Sequence, residues 1–236
     1  MTLAADLDHA VQQHDPDRWL ASRFIDDPRA RADVVLLYAL NHELARVAEV
    51  VSEPLLGHMR LAWWREGIEE IAAGGGPRAH PVMDGLAEAL ARNAFDPAEI
   101  AALVDGRAGD LEPDPLADEA ALNARLDRTA GRLASAAARR LDPSAEPSAT
   151  TEAMRAWGLV GLFRNGRLPP NWTAAEVTAA VDARIEAART PVAGLPVKAF
   201  PAVAYATLAR AYARGRTPGP IAKRLRLLWA SATGKI

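Results

Sequence analysis

Apolar residues recur at helical spacing along almost the whole chain. In PRARADVVLLYALNHELARVAEVV, Val34, Leu37, Tyr38, Leu44, Val47 and Val51 fall near one face at steps of three, four or seven. Pro28 suits the first turn of that helix, where its missing N–H is not needed. Pro54 opens the next one, PLLGHMRLAWWREGIEEIAA, and the run Gly74-Gly75-Gly76-Pro77 stops it. The same periodicity predicts helices over about 81–94, 97–107, 116–141, 148–164, 173–189, 197–214 and 218–232. Asp96-Pro97, Thr173 with Glu176, and Thr217-Pro218 carry start signals. Alternating β-branched runs are missing, so no sheet is expected. The Pro-rich stretches Glu112-Pro113-Asp114-Pro115, Asp142-Pro143 through Pro147, and Leu168-Pro169-Pro170 are too short to be domain linkers. The expectation is one all-α domain over 1–236, with eight to ten helices, several of them around a central cavity.

Composition narrows the chemistry. Of 236 residues, 50% are hydrophobic and 25% charged, which is enough to bury a core and too apolar for overall disorder. Cysteine is absent, which excludes disulfides, thiolate nucleophiles and Cys-ligated zinc or iron–sulfur clusters. No apolar run of about 18 residues occurs, so no membrane-spanning helix is expected. The start, MTLAADLDHA, is acidic and lacks the apolar stretch of a signal peptide, so the expected address is cytoplasmic.

The net charge of −2 hides an asymmetry. Residues 1–118 hold 10 Lys or Arg against 22 Asp or Glu, and residues 119–236 hold 18 against 8. After Glu186 come nine basic residues and no acid. Such polarity suits an anionic partner for the C-terminal part (a lipid surface, an acidic protein or a diphosphate) or internal neutralisation between the halves. No nucleic-acid partner is expected.

There is no G-x-x-x-x-G-K-[ST] loop, no G-x-S-x-G elbow and no H-E-x-x-H. None of the five His pairs with another at i, i+4, so no His metal site is expected, and His42 reads as an ordinary helix residue. Carboxylates at i, i+4 would offer hard oxygens to Mg²⁺. Glu66 with Glu70 has that spacing, but it reads as a solvated face.

Several ordered segments resemble the squalene/phytoene synthase family over roughly residues 19–172. LLYALNHELARVAEVVSEPLLGHMRLAWWREGIEEI resembles its first core helices. LVDGRAGDLEP, with Gly106 and Asp110-Leu111, resembles its G-x-x-x-D-L helix. LDRTAGRLASAAARR, with Ala130-Gly131, resembles the next helix. AWGLVGLFRNGRLPPN resembles the helix that bears the second aspartate motif. The resemblance implies an isoprenoid-synthase-like helical bundle around a central apolar cavity. In active members it also implies two D-x-x-x-D motifs on facing helices, bridged by Mg²⁺ to substrate diphosphates.

This chain departs from the pattern at both motifs. Aligned on Tyr38-Ala39, the first motif falls on Ala45 and Glu49. At the second, Asn165 follows Leu162-Phe163-Arg164, and the chain runs straight on to Gly166-Arg167-Leu168-Pro169. One carboxylate in four positions cannot hold three Mg²⁺ ions. Ser52, Glu53, Gly57, Met59, Arg60, Trp63 and Trp64 resemble instead the helix of a non-canonical branch that lacks the aspartate motifs. That branch includes a respiratory complex I assembly factor with a phytoene-synthase-like domain.

The resemblance implies a non-catalytic assembly or scaffold protein without cofactor, whose partners are a respiratory membrane complex or its assembly intermediates. It also implies a residual cavity for an isoprenoid or lipid. Tyr38, Glu49, Trp63, Asp110, Gly161, Arg164 and Arg167 are the candidates for that cavity. Several have a second reading. Trp63 and Trp64 lie about 100° apart, so one faces the core. Ser52-Glu53-Pro54 also reads as a helix cap. Glu49 and Asp110 also read as partners of Arg46 and Arg107, and Arg164 and Arg167 as surface ion pairs. The competing reading is a prenyltransferase with Mg²⁺ at a reduced site. In PIAKRLRLLWASATGKI, Ile221, Leu225, Leu228 and Trp229 form an apolar face. Lys223, Arg224 and Arg226 lie on its other face or rim, and the whole reads as a peripheral anchor at the inner membrane face or as a helix docked on its own domain.

Overall fold

Proline opens six of the described helices, and a residue just before it usually supplies the cap. Asp15, Asp27 and Asp96 each accept a hydrogen bond from a backbone N–H of the first turn, and His80 does so through Nδ1. The side chain thereby satisfies a donor that the helix cannot, while Pro removes another. The computed structural model describes residues 3–51, 53–111, 116, 118–169 and 171–236. Ser52, the loop residues 112–115 and Pro170, noted in the sequence, lie outside them. Chain contacts gather into two units, Met1–Pro113 and Asp114–Ile236. The division falls within a few residues of the charge changeover.

The first unit contains α1 (Leu3–His14), α2 (Pro16–Ser22), α3 (Pro28–Val50), α4 (Pro54–Ala72), α5 (Pro81–Ala91) and α6 (Pro97–Asp105), then a 3-10 turn, Ala108–Asp110. Every residue of α3 from Asp33 to Leu40 is buried. A helix apolar all round must be enclosed, and α1, α2, α4 and α5 all pack on α3. Beyond Leu40 the helix emerges, with only Leu44 and Val47 buried. The buried Asp33 carboxylate accepts from Arg92 at 2.9 Å, which ties α3 to the end of α5. A Cβ at Gly57 of α4 would lie 2.5 Å from Leu111 Cδ2, so the glycine admits the leucine.

The second unit contains α7 (Glu119–Leu126), a π-turn (Asp127–Gly131), α8 (Arg132–Leu141), α9 (Thr151–Arg164), α10 (Ala174–Ala193), α11 (Ala209–Ala213) and α12 (Pro220–Thr233). Its centre is Ala199–Ala206, buried at every residue. Arg155 holds Asp127 with two hydrogen bonds at 2.8 and 2.6 Å and Glu152 at 2.7 Å. The buried Arg184 reaches Glu119 at 3.2 Å and Glu152 at 3.5 Å. This network joins α7, the π-turn, α9 and α10.

The all-α expectation is met, with no strand among the described residues. Three details differ. The helix starts read from the sequence begin at Pro28, whereas α1 and α2 precede it. The helix expected over 116–141 contains the π-turn, where Thr129 Oγ1 donates to the Arg125 carbonyl at 2.8 Å. The helix expected over 197–214 is mostly two 3-10 segments, Val197–Ala202 and Ala204–Leu208. Pro201 lies inside the first and has no N–H to give a helical ladder.

Removing Arg92 leaves a buried carboxylate without its guanidinium. Loss of one partner of a buried pair costs about 3–5 kcal/mol, and the partial exposure of Arg92 reduces this to about 2 kcal/mol. Urea denaturation of Arg92→Met should show that loss, and Asp33→Asn in the same chain should return part of it.

Candidate functional site

The emerging end of α3 and the start of α4 form one wall each of an open pocket of about 460 Å³. From α3 come Glu43, Arg46, Val47 and Val50, at i, i+3, i+4 and i+7. From α4 come Arg60, Trp63 and Trp64, and His80 closes the end. Trp64 is buried and Trp63 is 37% exposed, as their angular offset requires. Their rings meet edge-on at 5.2 Å, and His80 stacks edge-on against Trp64 at 4.8 Å. His80 Nδ1 accepts from Val82 N–H, so Nε2 carries the proton of the neutral ring.

A guanidinium clamp fixes this wall. Arg78 donates to Glu70 at 2.8 and 2.6 Å, to Glu66 at 3.1 Å and to the Trp63 carbonyl at 2.6 Å. It also lies 5.5 Å from the Trp63 ring centre. These hydrogen bonds hold its pKa above the usual arginine value and depress that of Glu70. The Glu66–Glu70 pair of the sequence is thus engaged by a cation of the protein's own. Arg46 has Glu43 at 3.8 Å. The exposed Arg60 has no carboxylate partner among the described residues.

A second pocket, of about 220 Å³, shares Glu43 and His80 with the first. Leu7, Val11 and His42 line it too. The His42 ring stacks on His14 at 4.4 Å, and its Nε2 is buried without a hydrogen-bond partner. Burial first, and then His14 beside it, lower the His42 pKa.

Within the first unit, the residues singled out in the sequence do not share one face. Tyr38, Ala45 and Glu49 share a stripe of α3 roughly 130° away from the face that lines the larger pocket. Tyr38 is fully buried, Ala45 half-buried and Glu49 exposed. Asp110 is an ion-pair partner of Arg107 at 3.0 Å, and Arg107 also donates to Asn41 on α3, one turn before Ala45. Trp63 alone of the cavity candidates lines the larger pocket. The sequence reading missed His80 and Arg78, whose only signal was a loop cation and a histidine before Pro81.

In the second unit, Gly161 and Asn165 are exposed, and a Cβ at Gly161 would meet nothing within 4 Å. The exposed Arg164 lies over the Tyr212 ring at 4.5 Å, and Arg167 is half-buried. Trp157 packs edge-on against Tyr205 and Tyr212, at 5.0 and 6.0 Å. Helix α12 docks through Leu227 and Ala230, leaving Ile221, Leu225, Leu228 and Trp229 exposed at 72, 61, 55 and 57%. Arg224 and Arg226 are exposed on opposite flanks of that apolar arc. Lys223, expected beside them, instead turns to the docked side and lies 5.4 Å from the Tyr212 ring centre.

The enclosed α3 and the all-helical order agree with the sequence relationships. The chain belongs to the squalene/phytoene synthase family, whose profile matches residues 11–165. Its fold is that of a dehydrosqualene synthase solved in complex with a ligand, with a TM-score of 0.76 over 98% of this chain and 95% of that one, at 12% identity. The human NADH dehydrogenase (ubiquinone) complex I assembly factor 6 is 30% identical over 102 residues, which is 43% of this chain and 30% of that protein.

The lowered His42 pKa has a measurable consequence. The unfolded chain takes up this proton at about pH 6.5, before the folded chain does. Stability is therefore unaffected above that value and falls as pH drops through the folded pKa. Carboxylates titrate lower, so the loss between about pH 6.5 and 5 belongs to histidine. Denaturation midpoints across this window should fall in the parent protein and flatten in His42→Phe.

Proposed function

We propose that this protein is a non-catalytic member of its family that serves as an assembly or scaffold factor for a membrane respiratory complex. The observation that carries this reading is the replacement of the aspartate positions: Ala45 offers no donor, Asn165 is a neutral amide, and Glu49 is the single carboxylate left at them. Family enzymes use Mg²⁺, and the residues present do not fit it. No group of three or more His, Asp or Glu among the described residues is arranged to hold a metal ion. Near the first motif, the Asp110 carboxylate is already paired with Arg107, which also hydrogen-bonds Asn41. The likeness to the human assembly factor supports the choice of role, although the match spans only 30% of that protein's length. Binding of an isoprenoid or lipid belongs to the same proposal, because the fold is shared with an enzyme solved with a ligand.

Helix α12 supports work at a membrane surface. None of the described helices is long and apolar enough to cross a membrane. An interfacial helix needs only an apolar face with cations at its edge, and α12 leaves both exposed. Each Lys or Arg near an anionic leaflet contributes about 1 kcal/mol, screened by salt. Attachment of this kind is reversible and peripheral.

Two measurements test the proposal. With Mg²⁺ and farnesyl or geranylgeranyl diphosphate, the purified protein should release no pyrophosphate. Turnover that Glu49→Gln abolishes would restore the transferase reading, which the shared fold otherwise favours. In vesicle sedimentation the protein should bind anionic lipid at low salt, and Arg224→Glu with Arg226→Glu should remove that binding. Equal binding to neutral lipid, or none at low salt, would leave the C-terminal charge as internal neutralisation.

A further inference from the structure

The larger pocket is the deep end of a longer apolar surface. On α4, Leu55 is 67%, Met59 61% and Trp63 37% exposed. At i, i+4 and i+8 they form one line about 12 Å long. Val50 and Leu56, at 50 and 45% exposure, widen it. Arg46 and Arg60 stand at the pocket itself. Gly57 and Trp64 of the same helix face the core, so α4 has two working faces.

We infer that this face of α4 is a docking groove for an amphipathic helix of another protein, apolar on one side and carrying a carboxylate at the edge of that side. The inference rests on the reading of the chain as a binding protein and names the surface that does the binding. One apolar side chain of the partner enters the 460 Å³ pocket against Trp63, Trp64 and His80. Neighbouring anchors one and two turns away lie over Met59 and Leu55, the spacing of a helix laid in a groove. The carboxylate meets Arg60, which has no acidic partner among the described residues.

Charge and shape select this occupant over others. An anionic leaflet needs several clustered cations, and this face offers Arg60 and an Arg46 that already has Glu43 beside it. A small ligand is mostly enclosed by its pocket, whereas here the apolar line runs on over open surface. The exposed apolar face of α12 from a second copy would bring Arg224 and Arg226 against Arg46 and Arg60. Trp, Met and Arg are also the residues enriched at the centres of protein interfaces.

The test places photoreactive benzoylphenylalanine at Met59 of the full chain, in the cells that make it, and maps the cross-linked peptide by mass spectrometry. The expected adducts fall in one segment of another protein, with apolar residues at i, i+3 or i+4 and i+7 and an Asp or Glu beside them. Arg60→Glu should lower the yield about tenfold, while Arg65→Glu, outside the groove, leaves it unchanged. Replacing the segment's acid with Arg should restore the yield to Arg60→Glu. Adducts confined to lipid or to a copy of this chain, absence of adducts, or a yield indifferent to Arg60→Glu would overturn the inference. If the segment belongs to a protein with no place in a respiratory complex, the groove stands and the assembly reading falls.

Discussion

A segment that is apolar on every side has no face to give to water, and each half of this protein is arranged round one. In the first unit it is Val34–Leu40 of α3, and in the second it is Ala199–Ala206. Backbone inside such a segment must meet its own hydrogen bonds. Helix α3 does this with an ordinary ladder. The second segment does it in 3-10 fashion, with Val203 N–H on the Phe200 carbonyl and Ala206 N–H on that of Val203. Burial also decides where function can lie. The larger pocket draws its α3 residues from the stretch beyond the enclosure, Arg46 and Val50 among them.

In α3 the fold rests on the enclosed residues, and positions beyond them can change without disturbing it. Tyr38, Ala45 and Glu49 keep to one stripe of α3, and the enclosure of Tyr38 does not depend on what stands at the other two positions. Nearby, Arg107 pairs with Asp110 and hydrogen-bonds Asn41 of α3. The pocket lined by Glu43, Arg46, Val47 and Val50 lies on a different face of the same helix.

Much of this was legible in the sequence. The helix starts at Pro28, Pro54 and Asp96-Pro97 could be read because a cap and a proline state their function locally. Thr173 with Glu176 forms the full capping box. The first two helices were missed although Asp15-Pro16 carries the same signal, because α1 buries only Leu7 and Val11, too few apolar positions to mark a long core face. The 3-10 segments were read as helix because alanine favours helix wherever it stands, and only tertiary enclosure makes Pro201 decisive. The altered aspartate positions were visible as letters. The pocket was not, because it depends on Arg78 folding back from a loop onto Glu66, Glu70 and the Trp63 carbonyl, a contact that no spacing announces.

The alanines at the centre of the second unit have a consequence for how the family line can change. Ala199, Ala202, Ala204 and Ala206 are all fully buried. Close packing leaves a core no spare volume, and side chains of this size have nothing smaller to become except glycine. Every other substitution there is an enlargement. Mutations at these positions can therefore persist only in company, each growth matched by a reduction on a facing helix. Such a centre drifts in pairs or stays as it is, while exposed positions outside any binding face can diverge one residue at a time.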